Sequence, residues 1–194
     1  MDLIDLGFGI IIGIIIGAGG VFIFQQINKD KAEDKAGSDV FREIESLKTE
    51  VEKYNTNELL LTGHSLGAAL ATLNAFDILY YQKNYKIHSL ITFGSPRVGN
   101  KDFSKVFETY NINSIRVTHY YDMVPHVPEE FLGYRHISQE VWYNEPNTEY
   151  TICNDENGTE DDTCSNSCSP TKCTSTSDHL DYLQIKMGEG GYCW

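Results

Sequence analysis

Basic residues are scarce in this chain. Its 194 residues include 15 lysines and arginines against 28 aspartates and glutamates, which gives a formal net charge of -13 at pH 7. The basic residues are scattered along the sequence and do not gather into a stripe. Proteins that bind nucleic acid neutralise its phosphates with clustered Lys and Arg side chains, so this sequence excludes nucleic acid as an expected partner.

Cysteine is absent from the first three quarters of the chain. The loop-like segment from residue 144 to residue 177 is rich in Asn, Asp, Thr and Ser, and most of the cysteines lie in it. This clustering predicts an acidic loop held by disulfides. Because no histidine shares the cluster at ligand spacing, disulfides are favoured over the alternative of a zinc site. The five cysteines are Cys153, Cys164, Cys168, Cys173 and Cys193, and the odd count leaves one without an internal partner.

Charged residues are absent between Leu6 and Phe24. At about 1.5 Å per residue, this apolar run is about long enough to cross a bilayer as a helix. It predicts a single-pass transmembrane anchor over residues 1–26, followed by a polar linker over residues 27–37. Lys and Arg are also absent before the run, where a cleaved signal peptide would carry them, so the uncleaved anchor is favoured. If the run were cleaved, the downstream domain would be secreted.

Three glycines in this run, Gly9, Gly13 and Gly17, lie four residues apart. Such a tandem G-x-x-x-G pattern lets two membrane helices form a homodimer, although glycine is also frequent in membrane helices without that role. Lysines after the run favour a cytoplasmic domain. The cysteines and an N-glycosylation acceptor at Asn157 favour the lumenal or extracytoplasmic side, which is the side we expect.

Downstream of the linker, the apolar pattern alternates between helices and strands. Apolar residues from Val40 to Tyr54 recur at gaps of four and three, which is typical of a helix that packs on a sheet or, as an alternative, of a short coiled coil. Residues 59–62, 86–93 and 112–119 have the pattern of buried strands, and residues 101–110 that of a helix. This alternation predicts an α/β fold with a mainly parallel sheet flanked by helices.

The strongest motif lies between Leu59 and Leu73 and reads LLLTGHSLGAALATL. An apolar strand leads into G-x-S-x-G, centred on Ser65, and an Ala- and Leu-rich helix follows. In this context the motif is a nucleophile elbow, a tight turn that projects the serine hydroxyl. The N–H of Leu66, at the start of the helix, is placed to stabilise an oxyanion. The alternative is an ordinary Gly-rich turn.

A serine hydroxyl needs a base to accept its proton and an acid to orient that base. In α/β-hydrolases these follow in the chain order Ser, acid, His. Asp122 comes directly after the predicted strand over residues 112–119, at the carboxyl edge of the sheet, and is the best candidate acid. Its alternative role is to open a proline-rich turn. His179, which follows the cysteine loop, fits the order best as the base.

The other histidines fit the role of base less well. We expect the ring of His64 to point away from the site, because it sits in the tight turn beside Ser65. His88 falls within a strand predicted to be buried. The remaining three crowd or closely follow the Asp122 loop, and they are His119, His126 and His136.

From about Ser38 to Trp194 the chain resembles the class 3 lipases, the fungal triacylglycerol lipase family within the α/β-hydrolases. The resemblance rests on the elbow segment, ITFGSPRVGN from Ile91, DMVPHVP from Asp122, GYRH from Gly133, EVWY from Glu140 and DHLDYL from Asp178. It implies an α/β-hydrolase domain over residues 38–194. Its site residues would be Ser65 as nucleophile, Asp122 as acid, His179 as base and Leu66 as an oxyanion donor.

The same resemblance implies an activity. The expected reaction is hydrolysis of carboxylic esters of lipids through an acyl-enzyme, in lipid catabolism, with water as the second acceptor. Neither a cofactor nor a metal is implied. The segment Gly94–Asn100 is expected to be a structural turn, and Cys193 resembles a family cysteine that pairs with an N-terminal one.

The resemblance is incomplete upstream of the elbow. Family members carry further sheet strands there, together with a lid helix and an R-G-[ST]-type loop that supplies a second oxyanion donor. Here a single predicted helix and the apolar run take that place. We therefore expect a truncated sheet with an unpaired edge. The alternative function is that of a catalytically impaired lipase homologue, serving as a membrane-tethered binding or assembly module.

Overall fold

The computed structural model describes residues 57–81, 84–155, 158–168 and 172–187, together with the backbone of residues 11–15 and 22–26. Its main sheet has seven strands. These are β1 (Ile11–Ile15), β2 (Phe22–Gln26), β3 (Glu58–His64), β4 (Lys86–Phe93), β6 (Asn113–His119), β8 (Glu140–Tyr143) and β9 (Tyr150–Ile152). Two small two-stranded sheets are formed by β5 (Gly99–Asn100) with β7 (Tyr134–Arg135) and by β10 (Asp181–Tyr182) with β11 (Ile185–Lys186).

The strand order in the main sheet is β2-β1-β3-β4-β6-β8-β9. Strands β3, β4, β6 and β8 pair in parallel, whereas β1, β2 and β9 add to the two sides in antiparallel fashion. The helices are α1 (Leu66–Tyr81), α2 (Lys101–Glu108) and the single turn α3 (Thr176–His179). The prediction of a mainly parallel sheet flanked by helices is therefore confirmed.

The core lies between α1 and the parallel strands. Leu61 of β3 and Leu90 of β4 are register partners, and both are buried. Helix α1 covers them with small residues, among which Ala71 and Ala75 are buried in the same cluster. Because an alanine side chain is a single methyl group, the backbone of α1 can lie close to the sheet. The packing of α1 on β3 and β4 therefore holds β3 and the elbow that follows it in place.

The predicted strands and helix downstream of the elbow lie close to their expected positions. Strand β4 spans the predicted residues 86–93, and β6 begins one residue later than expected. Helix α2 ends at Glu108, two residues earlier than predicted. It begins where the Asn100 side chain accepts a hydrogen bond from the N–H of Phe103 at 2.9 Å, which is an ordinary N-cap.

The described parts of the apolar run do not form the predicted transmembrane helix. Ile11–Ile15 is strand β1, in which Gly13 pairs with Phe24 of β2 and with Thr62 of β3. Within the described ranges, no helix has both the length and the apolar character that a bilayer crossing requires. Isoleucine is β-branched and favours strands, and an apolar run alone does not distinguish a strand from a buried helix.

Two further expectations change with this correction. The glycine pattern expected to pair two membrane helices is not on a helix at Gly13, while Gly9 and Gly17 lie outside the described residues. The edge of β3 that was expected to be unpaired is paired with β1. The linker, the predicted amphipathic helix over residues 40–54, Asn157 and Cys193 also lie outside the described residues.

The acidic loop is held by disulfides, as predicted. Cys153 is bonded to Cys164, and Cys168 is bonded to Cys173. Disulfides of this kind are typical of oxidising, extracytoplasmic compartments. The loop ends at α3, so the two bridges lie on the stretch of chain that brings His179 back to the sheet.

Candidate functional site

The elbow is formed where β3 ends at His64 and α1 begins at Leu66. Ser65 lies between them with a φ of 58°, a left-handed conformation that is uncommon for a residue with a side chain. Its N–H donates to the carbonyl of Phe93 at 3.0 Å, which ties the turn to the end of β4. A Cβ on Gly63 would lie 2.3 Å from the carbonyl oxygen of Gly67, so only glycine fits there. The turn therefore presents the Ser65 hydroxyl above the sheet.

Ser65, His179 and Asp122 lie in one chain of hydrogen bonds. The Ser65 Oγ is 2.8 Å from His179 Nε2, and His179 Nδ1 is 2.9 Å from Asp122 Oδ2. A carboxylate only accepts, so Nδ1 carries the hydrogen, and Nε2, which carries none, accepts from the serine hydroxyl. The structure thus brings together three predicted site residues that are 57 and 114 positions apart along the chain.

The Asp122 carboxylate is buried and surrounded by donors. Its residue is 1% exposed, and Oδ1 accepts from the N–H of Val124 at 2.8 Å. Oδ2 accepts from the hydroxyl of Tyr182 at 2.5 Å, in addition to His179. Burial raises the pKa of Tyr182 well above its usual value, so the hydroxyl keeps its proton and remains a donor. Tyr182 stands in the DHLDYL segment, but its role had not been predicted.

The loop that carries Asp122 and the helix that carries His179 are joined directly. Asp122 forms an isolated parallel bridge with Ser175, whose N–H donates to the carbonyl of Tyr121 at 3.1 Å. The Ser175 side chain also accepts from the N–H of Asp178 at 3.0 Å and so caps α3. The acid and the imidazole are therefore placed by two segments that hold each other.

His179 is the histidine that reaches Ser65, although the structure describes all six histidines of the chain. His88 is exposed on β4, so the prediction that it lies inside a buried strand is wrong. It falls near the start of β4, where the strand alternates between exposed and buried positions. The ring nitrogens of His119 and His136 contact backbone carbonyls of other segments.

His64 also differs from the expectation, since its ring lies against the site. Its Nε2 donates to the carbonyl oxygen of His179 at 2.7 Å, and the two ring centroids are 4.5 Å apart. Its place beside Ser65 in G-x-S-x-G was a signal that it lies near the site. The direction of the ring, however, depends on contacts with a residue 115 positions away.

Gly94, the first residue of the predicted structural turn, lies against the same groups. A Cβ built there would be 2.8 Å from Asp122 Oδ2, 2.9 Å from the Tyr182 hydroxyl and 3.1 Å from His179 Cε1. Its φ of 54° is also left-handed. The turn is therefore structural in its main part, but its glycine leaves the space that the carboxylate and the imidazole occupy.

Arg97, in the same turn, anchors the loop downstream of Asp122. Its Nη1 donates to the carbonyls of His126 at 2.7 Å and Pro128 at 3.0 Å. Its Nε and Nη2 form a bidentate pair with the carboxylate of Glu160 at 2.8 Å and 2.7 Å. Both side chains of this pair are nearly buried, so the loop is held by charge-assisted bonds that water does not weaken.

Leu66 is the first residue of α1, and its side chain is 51% exposed. The N–H groups in the first turn of any helix have no acceptor within the helix. The Leu66 N–H thus follows Ser65 directly, at a helix end that attracts negative charge. Its function as an oxyanion donor stays a prediction.

Two groups of potential metal ligands occur among the described residues. One joins His126 to Cys168 and Cys173, and the other joins Glu140 to Cys153 and Cys164. In each group the two sulfur atoms are bonded to each other. Cysteine binds a metal as a thiolate, and a disulfide sulfur is not a thiolate. Each group therefore retains only one potential metal ligand, His126 in the first and Glu140 in the second.

Comparison with known proteins points to one family. The sequence model described as "Lipase (class 3)" matches residues 26–132. A lipase from Rhizopus niveus is 39% identical over 137 residues, which cover 69% of this chain and 33% of the relative. A secreted mono- and diacylglycerol lipase A from Penicillium cyclopium is 43% identical over 104 residues, covering 54% and 33%. The chain thus spans about a third of the length of these relatives.

Solved structures agree with this result. Lipase II from Rhizopus niveus superposes with a TM-score of 0.72 and 27% identity, covering 86% of this chain and 71% of that one. A triacylglycerol lipase whose catalytic centre is formed by a serine protease triad gives a TM-score of 0.67 and 28% identity, covering 95% and 67%. The alternative of an impaired, membrane-tethered module is not favoured, because the family model and the relatives that match this chain are lipases.

Proposed function

The chain belongs to the class 3 lipase family, and on that premise we propose that it hydrolyses carboxylic esters of lipids. Ser65 is the nucleophile, His179 is the general base and Asp122 is the acid that orients it. The observation that carries this proposal is the hydrogen-bonded chain from Ser65 Oγ through the imidazole to the buried carboxylate. A serine hydroxyl is a poor nucleophile at neutral pH without such a base.

The reaction proceeds in two halves. His179 Nε2 accepts the Ser65 proton while Oγ attacks the ester carbonyl carbon. The resulting imidazolium then gives this proton to the leaving alcohol, which yields an acyl-enzyme. Water, activated by the same imidazole, releases the fatty acid. Asp122 keeps the hydrogen on Nδ1 and stabilises the imidazolium, because its carboxylate accepts from Nδ1 throughout.

The tetrahedral intermediate carries a negative oxygen, and we assign the Leu66 N–H as one donor to it. This amide follows the nucleophile at the N-terminus of α1, where the helix dipole favours negative charge. Removing one such donor costs roughly 10²- to 10³-fold in turnover, so the assignment is of consequence for the rate. The exposed Leu66 side chain places an apolar surface beside the nucleophile, as an acyl chain requires.

The proposal is tested by measuring ester hydrolysis directly. The full chain is assayed on p-nitrophenyl butyrate and palmitate, on emulsified triacylglycerol and on phosphatidylcholine vesicles. We expect Ser65→Ala and Asp122→Asn to lower kcat by about 10⁴-fold or more, because either change removes the activated nucleophile. The substrate hydrolysed fastest identifies the head group and the acyl length.

Asp77→Asn is the matched control, since Asp77 is exposed on α1 away from the site. It should hydrolyse all four substrates at the wild-type rate. Equal rates for Ser65→Ala and the wild type, or no hydrolysis of any ester by the wild type, would refute the proposed function.

A further inference from the structure

Building on the proposed function, we propose that His64 is a positioning residue that holds the imidazole of His179 in place against Ser65. It does so through a hydrogen bond to the His179 backbone and through contact between the two rings. His64 therefore acts through the base and does not itself touch the reacting atoms.

The first contact is a hydrogen bond with a defined direction. His64 Nε2 lies 2.7 Å from the carbonyl oxygen of His179. A carbonyl oxygen only accepts, so the neutral His64 ring must carry its hydrogen on Nε2. The bond thus requires one tautomer of His64.

The second contact is between rings. The centroids of His64 and His179 are 4.5 Å apart with planes inclined by 31°, and the Tyr182 ring meets His64 edge-on at 5.5 Å. The His179 imidazole is therefore enclosed on one side by His64. This contact restricts the positions that the His179 imidazole can take beside Ser65.

The need for such support follows from the elements involved. His179 is the last residue of α3, which has only four residues, and one helical turn has little stability of its own. His64 is the last residue of β3, which is paired along its length with β4. His64 therefore links the paired strand β3 to the single helical turn that carries His179, and it directly precedes Ser65.

The charges around His64 are compatible with this role. The groups that face it are the imidazole of His179, the carboxylate of Asp122 and the hydroxyl of Tyr182. Burial, and next the proximity of His179, lowers the pKa of His64 to about 4, so the ring is neutral at pH 7. A neutral His64 puts no second positive charge beside the imidazolium that forms during the reaction.

Two variants separate the hydrogen bond from the ring contact. His64→Phe keeps an aromatic ring and removes the N–H, whereas His64→Gln keeps an N–H donor at a similar reach and removes the ring. We expect His64→Phe to lower kcat about 10- to 100-fold with KM within about twofold, because a small displacement of the base costs this much. We expect His64→Gln to recover kcat to within about fivefold of the wild type, since it restores the bond.

His88→Phe is the matched control, because it makes the same change at an exposed histidine of β4 and should leave kcat unchanged. Thermal unfolding of every variant is measured alongside, since loss of folded protein would lower the amount of active enzyme without a selective effect on kcat. Wild-type kcat in a folded His64→Phe, or a folded His64→Gln as slow as His64→Phe, would overturn the proposal.

A measurement on the wild-type chain decides the matter even if a variant fails to fold. Heteronuclear NMR of the imidazole nitrogens at pH 7 should find the hydrogen of His64 on Nε2. The Nδ1–H tautomer would overturn the positioning role, because it has no hydrogen to give to the His179 carbonyl. This readout needs no turnover, so an inactive wild type would refute the proposed function separately.

Discussion

The carboxylate of Asp122 is a buried charge that is stabilised by hydrogen-bond donors around it. It is removed from water, which is costly unless donors replace the lost hydration. Three donors do so here, the N–H of Val124, the imidazole of His179 and the hydroxyl of Tyr182. The side chain is thereby held in one orientation, with Oδ2 directed at the imidazole.

Tyr182→Phe removes one of these donors while leaving the ring in place. We expect the free energy of unfolding to fall by about 1–2 kcal/mol, because a buried acceptor loses a partner. We also expect a larger fold-change in kcat than in KM, since Asp122 becomes less firmly oriented. Urea unfolding and ester hydrolysis measure the two effects.

Tyr80→Phe is the control for this change, because Tyr80 is exposed on α1. It should alter neither stability nor kcat. A Tyr182→Phe variant as stable and as active as the wild type would show that the hydroxyl contributes nothing to the carboxylate's position.

At the scale of elements, the elbow depends on close packing between β3 and α1. The strand and the helix meet at Gly63, where a Cβ would lie 2.3 Å from the carbonyl oxygen of Gly67. The left-handed Ser65 between them is maintained by the packing of both elements. Helix α1 begins directly after Ser65, so the amides of its first turn lie next to the Ser65 hydroxyl.

Gly63→Ala should therefore be severely destabilising. Its Cβ would overlap backbone atoms that cannot move without separating β3 from α1, so we expect a loss of about 3 kcal/mol or more. Urea unfolding followed by circular dichroism measures the change. Where folded protein is recovered, its hydrolysis rate should also fall.

Gly133→Ala is the comparison that isolates the overlap. Gly133 has a left-handed φ of 89°, yet nothing lies within 4 Å of a Cβ there. Only the backbone conformation is disfavoured, at about 1–2 kcal/mol. If Gly63→Ala costs no more than Gly133→Ala, the close approach of strand and helix is not what requires glycine at the elbow.

The whole molecule combines a large negative charge with several buried histidines. Burial lowers the pKa of His64 and of His126 to about 4, and it lowers that of His136 well below the usual value. Between about pH 4.5 and 6.5, each of these histidines is neutral in the folded chain but binds a proton in the unfolded chain. Folding is thus linked to pH through residues spread over the domain.

We expect the free energy of unfolding to be highest above about pH 6.5 and to decrease as the pH falls towards 4.5. The sign follows because the unfolded chain binds more protons in this range. Burial raises the pKa of Glu140, which acts in the opposite direction. The free energy of unfolding is therefore measured by urea unfolding at several pH values. The slope of this free energy against pH is then compared between the wild type and His126→Gln.

His126→Gln should make the decrease shallower, because one lowered pKa is removed. His88→Gln, at an exposed histidine, should leave the slope unchanged. A slope identical in the wild type and in His126→Gln would contradict the assignment of a neutral, partly buried His126.

Features that depend on residues close together along the chain could be predicted from the amino-acid sequence alone. Strands and helices after the elbow follow from local apolar periodicity, and G-x-S-x-G between a strand and a helix indicates where a serine is projected. The order of Ser65, Asp122 and His179 is likewise a property of the chain. These predictions required no knowledge of distant contacts.

Contacts between groups far apart along the chain could be read only from the folded structure. Ile11–Ile15 lies in a run that is apolar enough for a helix or a strand, and pairing with β3 makes this five-residue segment a strand. The direction of the His64 ring, the hydroxyl of Tyr182 on Asp122 and the space beside Gly94 all depend on contacts across the sheet edge. Local pattern leaves such choices open, because the energies that settle them come from segments far apart in the sequence.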